Sequence, residues 1–520
     1  MIELFLRPAV LGPTVAIVAF IVHQFVIATL QRPKLPVVGS RKGDWFPFYQ
    51  AAIRNTLDFK SAVLEAEEKY REQTVLMPFL GTTKTVALPR SQIQWVSDQP
   101  ESVLSMHVKT MDDLQIDYTV TDPSLIYNPL HTKIITTTLT SEIGNLVPDV
   151  ADEAAWAFGE AWGSPSDYKE VCVYDTLRKI IGHVSNRVFV GKPHCRNQAM
   201  LQEGIQYAKD VPLVANILRL VWKPLRPTVA LFLTILIHLR TRRLRSILRA
   251  TIEQRLAEYD ARQQGLGDKA GAEPNDFLQW SIRQAKSLGD PYMWRPETLA
   301  DRILLLNFAS IHTSSFAITN AILELSASKR EYIDELRAEI EGILAEYGGQ
   351  WNKRALSRMH KLDSVLRESS RLNSFVTVGV ARYVTAPDGA VTPSGVKVPH
   401  GWSVVGPSYP VFHDENVYPG ANEFRPFRFA EERSDQNIDY VKRATKAFAT
   451  TSPDYLAFGH GRNACPGRFF AASELKLLVA HLVLNYDIKL MPERPRNMWI
   501  SINRVPPLKA TIRIKKRVRG

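Results

Sequence analysis

Between Ile303 and Leu325 the chain is apolar on nearly every helical face, within a helical pattern that runs from Pro296 to Ser328. A surface helix buries one stripe; a helix that is apolar all round must be covered on all sides. This stretch therefore demands a fold with one central helix and many others packed around it. The 520 residues, 45% of them apolar, provide enough chain for that core. The centre of the stretch reads Ala309-Ser-Ile-His-Thr-Ser314. Polar groups in the middle of a buried helix need partners. Thr313 can return its hydroxyl to the Ala309 carbonyl and bend the helix slightly. His312 can be an ordinary core histidine with its bonds satisfied.

The remaining patterns supply the cover. Helical periodicity is read over Asn55–Tyr70, Leu130–Phe158 with a break near Pro148, Tyr174–Val190, Leu201–Leu220, Glu331–Tyr347, His360–Leu372 and Arg468–Tyr486. Alternating segments bounded by turn residues predict a hairpin over Thr74–Pro89 and strands at Phe375–Tyr383, Val391–Pro407, Trp499–Ile502 and Ala510–Ile514. Val108–Tyr127 reads as a long loop, and Gln263–Asn275 as a polar one. The expected fold class is mainly α with a smaller β-rich region.

Ala9–Leu30 holds no Asp, Glu, Lys or Arg, and its 22 residues suffice to span a bilayer. Arg32, Lys34, Arg41 and Lys42 follow it, against only Glu3 and Arg7 before it. The expectation is an uncleaved single-pass anchor over residues 1–31, a stiff Pro-rich link over 32–43, and a catalytic domain over 44–520 on the cytosolic side. Val211–Ile237 is unusually apolar but is interrupted by Lys223, Arg226 and prolines, so it reads as a surface hairpin that dips into the membrane face. His238–Arg249 is strongly basic. The net charge of +12 suits an anionic membrane or an acidic protein partner, and no nucleic-acid module is visible. Three cysteines, Cys172, Cys195 and Cys465, none in a CxxC pair, argue against a disulfide framework and a structural zinc site, and for a reducing compartment.

Four signals then stand in a fixed order. They are Ala309-x-x-His-Thr313, Glu368-x-x-Arg371, Pro426-Phe-Arg-Phe429, and Phe458-x-x-Gly461-x-x-x-Cys465-x-Gly467 ahead of a terminal helix. Cys465 sits just before that helix, where unpaired N–H groups favour an anion and so a thiolate. Glu368 and Arg371, three apart, share a helix face and can pair.

This order and spacing resemble the cytochrome P450 superfamily over essentially the whole chain, and the cysteine loop is most similar to that of fungal microsomal members. The resemblance implies the P450 fold behind an N-terminal transmembrane helix, in the endoplasmic reticulum membrane. It implies haem b with Cys465 as axial thiolate, framed by Phe458, Gly461 and Gly467. It implies Thr313 on the distal side, where it would bond dioxygen and help deliver protons, and a structural network of Glu368, Arg371 and Arg428. Electrons would come from NADPH through a separate flavoprotein reductase, O2 would be the oxidant, and the substrate would be lipophilic. The Ala-Ser-Ile-His-Thr centre is similar to that of fungal oxidases of diterpenoids and related terpenoids. The rival readings are a haem-thiolate isomerase or dehydratase, and a haem-binding protein without catalysis.

The chain departs from the family pattern in three places. His312 stands where an acidic residue is usual, and imidazole can also move protons. Asn463 stands where Arg or His usually meets a haem propionate, which passes that task to Arg462 and Arg382. The early Trp-x-x-x-Arg is absent, with His131 or Lys133 as substitutes.

Overall fold

The apolar stretch forms one unbroken helix, Pro296–Ser326, with Pro296 in its first turn and Glu297 at its positive end. Every residue from Thr298 to Asn307 is buried, and nearly every one from Ile318 to Ser326, so all faces are covered toward both ends, while Ala309 and Thr313 at the centre are exposed to a cavity. The computed structural model describes residues 32–518 apart from 83 and 266–271, together with positions 12 and 15. The anchor expected over 1–31 lies outside the described residues save those two positions. Among the described residues no helix is long and apolar enough to cross a membrane.

Eight helices position the site: α1 (Met106–Leu114), α2 (Thr140–Trp162), α3 (Val173–Phe189), α4 (Gln198–Leu220), α5 (Ile235–Gln263), α6 (Pro296–Ser326), α7 (His360–Leu372) and α8 (Arg468–Asn485). The central α6 packs against α3, α5, α4, α7 and α8, while α2 joins α3 to α8 on the far side. Some polar side chains along α6 find partners within it or on α3, while Ser310 Oγ and Thr319 Oγ1 are buried without one among the described residues. The Asn307 amide donates to Asn186 Oδ1 of α3 (3.1 Å), and Ser326 Oγ donates to the Ile322 carbonyl (2.6 Å).

The main sheet has five strands: β1 (Val75–Leu76), β2 (Thr85–Ala87), β3 (Leu104–Ser105), β4 (Val378–Val384) and β5 (Ser403–Pro407), in the order β1-β2-β5-β4-β3. Strands β2 and β5 run parallel, and the other pairs are antiparallel. The β4–β5 register shifts between Gly379 and Arg382, and Val380 there has φ +44°. A β-branched residue in the left-handed region is strained. The bulge breaks the usual alternation of side chains, with the result that Val378 to Arg382 all line one cavity.

Two expectations need correction, and the link gains a contact. Residues 108–127 are not a loop. Ser105 Oγ caps α1 by accepting from the Val108 amide (3.0 Å), and short helices Ile116–Thr119 and Ser124–Tyr127 follow. The segments are too short and too rich in aspartate to show a period. The helical break falls not at Pro148, which α2 absorbs, but at Ile135–Leu139, where the turns widen. Thr136 and Thr137 hydroxyls donate back to the Thr132 and Lys133 carbonyls beside this widened stretch. The Pro-rich link is docked from Pro36 onward: the Leu76 amide donates to the Pro36 carbonyl (2.8 Å) and Val38 to Leu76 (2.9 Å).

The apolar segment 211–237 forms the end of α4, a helix Arg226–Leu233 and the start of α5. It is a surface feature: Leu220, Leu225, Leu231, Phe232, Ile235 and Leu236 are each more than half exposed. Much of the basic run at the start of α5 is neutralised. Arg240 pairs with Glu203 and Asp210, Arg245 with Asp301, and Arg249 with Glu253 and Glu297.

Candidate active site

A cavity of about 510 Å³ lies between α6 and the loop that leads into α8. Its size falls in the range of small-molecule and cofactor sites. On one wall, Phe458, Gly459, Cys465 and Gly467 line it. The loop is tight. The Cys465 amide donates to the Phe458 carbonyl (2.7 Å), and Gly459 and Gly461 have φ of +70° and +71°. Gly461 is required for a second reason, because a Cβ there would stand 2.9 Å from Ser97 Cβ. It therefore shapes the loop from outside the cavity lining. Phe458 is wedged against Phe448, with ring centroids 5.1 Å apart.

Cys465 has an exposed surface only because it faces the cavity. Burial pushes its thiol pKa up, while the Gly467 and Arg468 amides pull it down. The helix start alone therefore does not produce the thiolate the sequence suggested. A coordinated metal cation would, since metals stabilise thiolates.

The opposite wall is α6, through Leu306, Ala309, Ser310, Thr313 and Ala317. Thr313 Oγ1 donates to the Ala309 carbonyl (2.7 Å), the back-bond expected from sequence, and its oxygen remains open as an acceptor toward the cavity. The geometry does not bring His312 to this lining. Its Nδ1 meets Tyr174 Oη (2.6 Å) and its Nε2 the Ile205 carbonyl (3.1 Å). With a carbonyl on Nε2, that nitrogen carries the proton and Nδ1 accepts from the phenol. Burial lowers the His312 pKa. The imidazole is thus a neutral clamp between α6, α3 and α4.

At the rim the expected propionate contacts divide. Arg382 lines the cavity and is buried, and its Nη1 donates to its neighbour's carbonyl, Ala381 (2.9 Å), with no carboxylate within ion-pair range among the described residues. Arg462 is turned outward to the Asp98 carbonyl (3.1 Å), and His131 lies outside the lining, its Nδ1 buried without a partner and its pKa pushed down to about 4 by burial. Lys133 is exposed. Asn463 does line the cavity, but its amide donates to Glu101 Oε1 (2.8 Å). Glu101 also accepts from Ser105 Oγ (2.5 Å), so it ties the cysteine loop to the start of α1.

Behind the cysteine loop, Glu368 accepts from Arg371 Nε and Nη2 (both 2.8 Å) and from Arg428 Nε (3.1 Å). The arginines spend their other donors on carbonyls: Arg371 on Phe412 and Ala421, Arg428 on Pro419 and Gly420. The network expected from sequence is assembled and buried.

Several site residues carry no motif signal we could use. Glu474 of α8 is buried on the cavity wall and accepts from Ser185 Oγ (2.6 Å), with the Ser314 hydroxyl of α6 also beside its carboxylate. Burial raises its pKa to about 7. Lys109 and Asp113 of α1 face the cavity as a pair. Only their four-residue spacing could have flagged them.

These residues fit a haem. A soft sulfur donor stands opposite a hydroxyl across an apolar gap, and a buried arginine without a carboxylate waits at the rim for an anionic group. The comparisons agree. A family model described as cytochrome P450 matches residues 127–508. The chain is 35% identical over 466 residues to cytochrome P450 monooxygenase 71 of Postia placenta, covering 88% of this chain and 89% of that one. It is 28% identical to cytochrome P450 monooxygenase gloP of Glarea lozoyensis, over 97% of this chain and 94% of that one. Among solved structures it is similar in fold to the retinoic acid-bound cyanobacterial CYP120A1, at TM-score 0.64 and 18% identity over 93% of this chain and all of that one.

Proposed function

The chain belongs to the cytochrome P450 family, and on that premise we propose that it is a membrane-associated haem-thiolate monooxygenase that hydroxylates a lipophilic secondary metabolite of terpenoid type. The observation that carries the reading is the placement of Cys465 and Thr313 on facing walls of one largely apolar cavity. The haem, when bound, supplies dioxygen activation, with electron density from the thiolate favouring O–O cleavage. Cys465 would hold it through its sulfur, and Arg382 would meet one of its carboxylates.

The protein's own part is to position and to exclude water. Phe375, Val376 and Val378 from one side and Leu306 and Phe316 from α6 offer apolar contact to the substrate body. The Thr313 hydroxyl, held by the Ala309 carbonyl, offers an oxygen to a proton donor at the centre of the cavity. A proton could reach this region from Glu474, whose raised pKa of about 7 keeps a fraction of it protonated near neutrality. His312, engaged at both nitrogens, would act only by holding α6 in place.

Electrons would come from NADPH through a separate flavoprotein reductase, since no dinucleotide-binding motif is present in the sequence. The uncharged run Ala9–Leu30 and the exposed apolar segment around Leu231 and Phe232 support attachment to a membrane, with the endoplasmic reticulum as the expected site and the catalytic body in the cytosol. The test is co-expression with a reductase and feeding of diterpenoid and indole-diterpenoid precursors. The expected result is a product one oxygen heavier that requires NADPH. Turnover without reductase would instead indicate an isomerase or dehydratase.

A further inference from the structure

Helix α1 turns Met106, Lys109, Thr110 and Asp113 toward the cavity. These positions form one helical face. Three of the four are polar, on a largely apolar cavity whose other charged lining residues are Arg382 and Glu474. Thr110 is satisfied by the Met106 carbonyl (3.0 Å). Lys109 is only 6% exposed, and its ammonium pairs with Asp113. Arg219 of α4, itself largely buried, lies 3.5 Å from the same carboxylate.

Two cations thus share one anion, and the cluster keeps one positive charge. Asp112 and Arg226, which lie close by, add one charge of each sign and leave that sum unchanged. An ammonium has three donors, of which the recorded bonds use one, to Asp113. A surplus cation taken out of water is costly unless an anion meets it.

We propose that Lys109, held by Asp113 and backed by Arg219, is a carboxylate-binding subsite that takes the acid group of an otherwise apolar substrate. This rests on the monooxygenase reading above and adds an orientation: the acid end lies at α1 and the carbon to be oxidised lies nearer Cys465 and Thr313. The haem's own carboxylates share this chemistry, so the experiment separates the two sources. Purified haem-loaded wild type, Lys109→Met and Lys109→Arg are titrated by absorbance with dodecanoic to octadecanoic acids, a diterpene acid, and the methyl ester of each. Haem content is assayed on the same samples. The expected result is that the wild type prefers at least one acid over its ester, that Lys109→Met loses this preference by about tenfold, that Lys109→Arg keeps most of it, and that haem content is unchanged. Loss of haem from Lys109→Met with the acid-to-ester ratio intact would assign the site to the cofactor and overturn the substrate assignment. Equal binding of acid and ester by the wild type would overturn it as well. A wild type that shows no haem-thiolate spectrum would fail the monooxygenase reading itself.

Discussion

Two buried charge clusters in this protein have the same formula and opposite surroundings. Behind the cysteine loop, Glu368 is shared by Arg371 and Arg428; beside the cavity, Asp113 is shared by Lys109 and Arg219. Each has two cations to one carboxylate. In the first, the arginines hand their remaining N–H groups to the carbonyls of Phe412, Ala421, Pro419 and Gly420, so the surplus charge is absorbed by backbone dipoles. In the second, the lysine lines the cavity, and its ammonium's one recorded hydrogen bond goes to Asp113. The stoichiometry of a buried cluster therefore does not reveal its role. What its spare donors meet does: carbonyls make it a brace, a cavity makes it a receptor.

The comparison can be broken most sharply at its carboxylates. Glu368→Ala leaves two buried guanidinium groups unpaired and should cost about 3–5 kcal/mol, read as a lowered urea midpoint and loss of haem-binding protein. A cost below that of Asp113→Asn would refute the assignment of Glu368 as brace.

Glu474 sharpens the contrast as a buried carboxylate with no cation in ion-pair range among the described residues. Its folded pKa of about 7 lies above the ordinary 4.5. The folded state therefore binds the proton more tightly, and this contribution to stability is complete below 4.5 and is lost as pH rises through 7. Its size is on the order of 3 kcal/mol. Glu474→Gln should flatten the pH dependence of the unfolding midpoint across that window; an unchanged slope would place the dependence elsewhere.

Asp113→Asn should cost about 1–3 kcal/mol, less than the loss of Glu368 because its carboxylate is part-exposed and the amide keeps an acceptor oxygen, while weakening the hold on Lys109. Smallest of all, His312→Gln should lower the thermal midpoint slightly and leave the ratio of product to NADPH consumed unchanged. A fall in that ratio with stability intact would return a proton-transfer role to His312.

The brace was legible in sequence and the receptor was not, for a physical reason. Glu368 and Arg371 sit three apart on one helix, and Cys465 sits in a loop whose glycines are forced by positive φ and by Ser97. The three-residue spacing and the positive φ act locally and leave local patterns, whereas the Ser97 contact that reinforces Gly461 comes from a distant part of the chain. The central helix was legible because its burial toward both ends, and an apolar cavity at its centre, leave no polar stripe. By contrast, α1 is capped by Ser105 and Glu101 and ends after nine residues, too short to show a period. The same bond from Asn463 to Glu101 explains the least expected residue of the cysteine loop: it braces that loop against α1. Nothing in the sequence announced that Arg462 would turn out to the Asp98 carbonyl while Arg382 turned in, since a bulge at Val380 decides the latter.

The central claim is that Cys465 holds a haem iron as thiolate while Thr313 faces it. The most direct measurement is the absorbance of the reduced protein under carbon monoxide. The wild type should show the thiolate-ligated band at about 450 nm, and Cys465→His should move it to the shorter wavelengths of a histidine-ligated haem. A Cys465→Ala protein that keeps the original band would contradict the account.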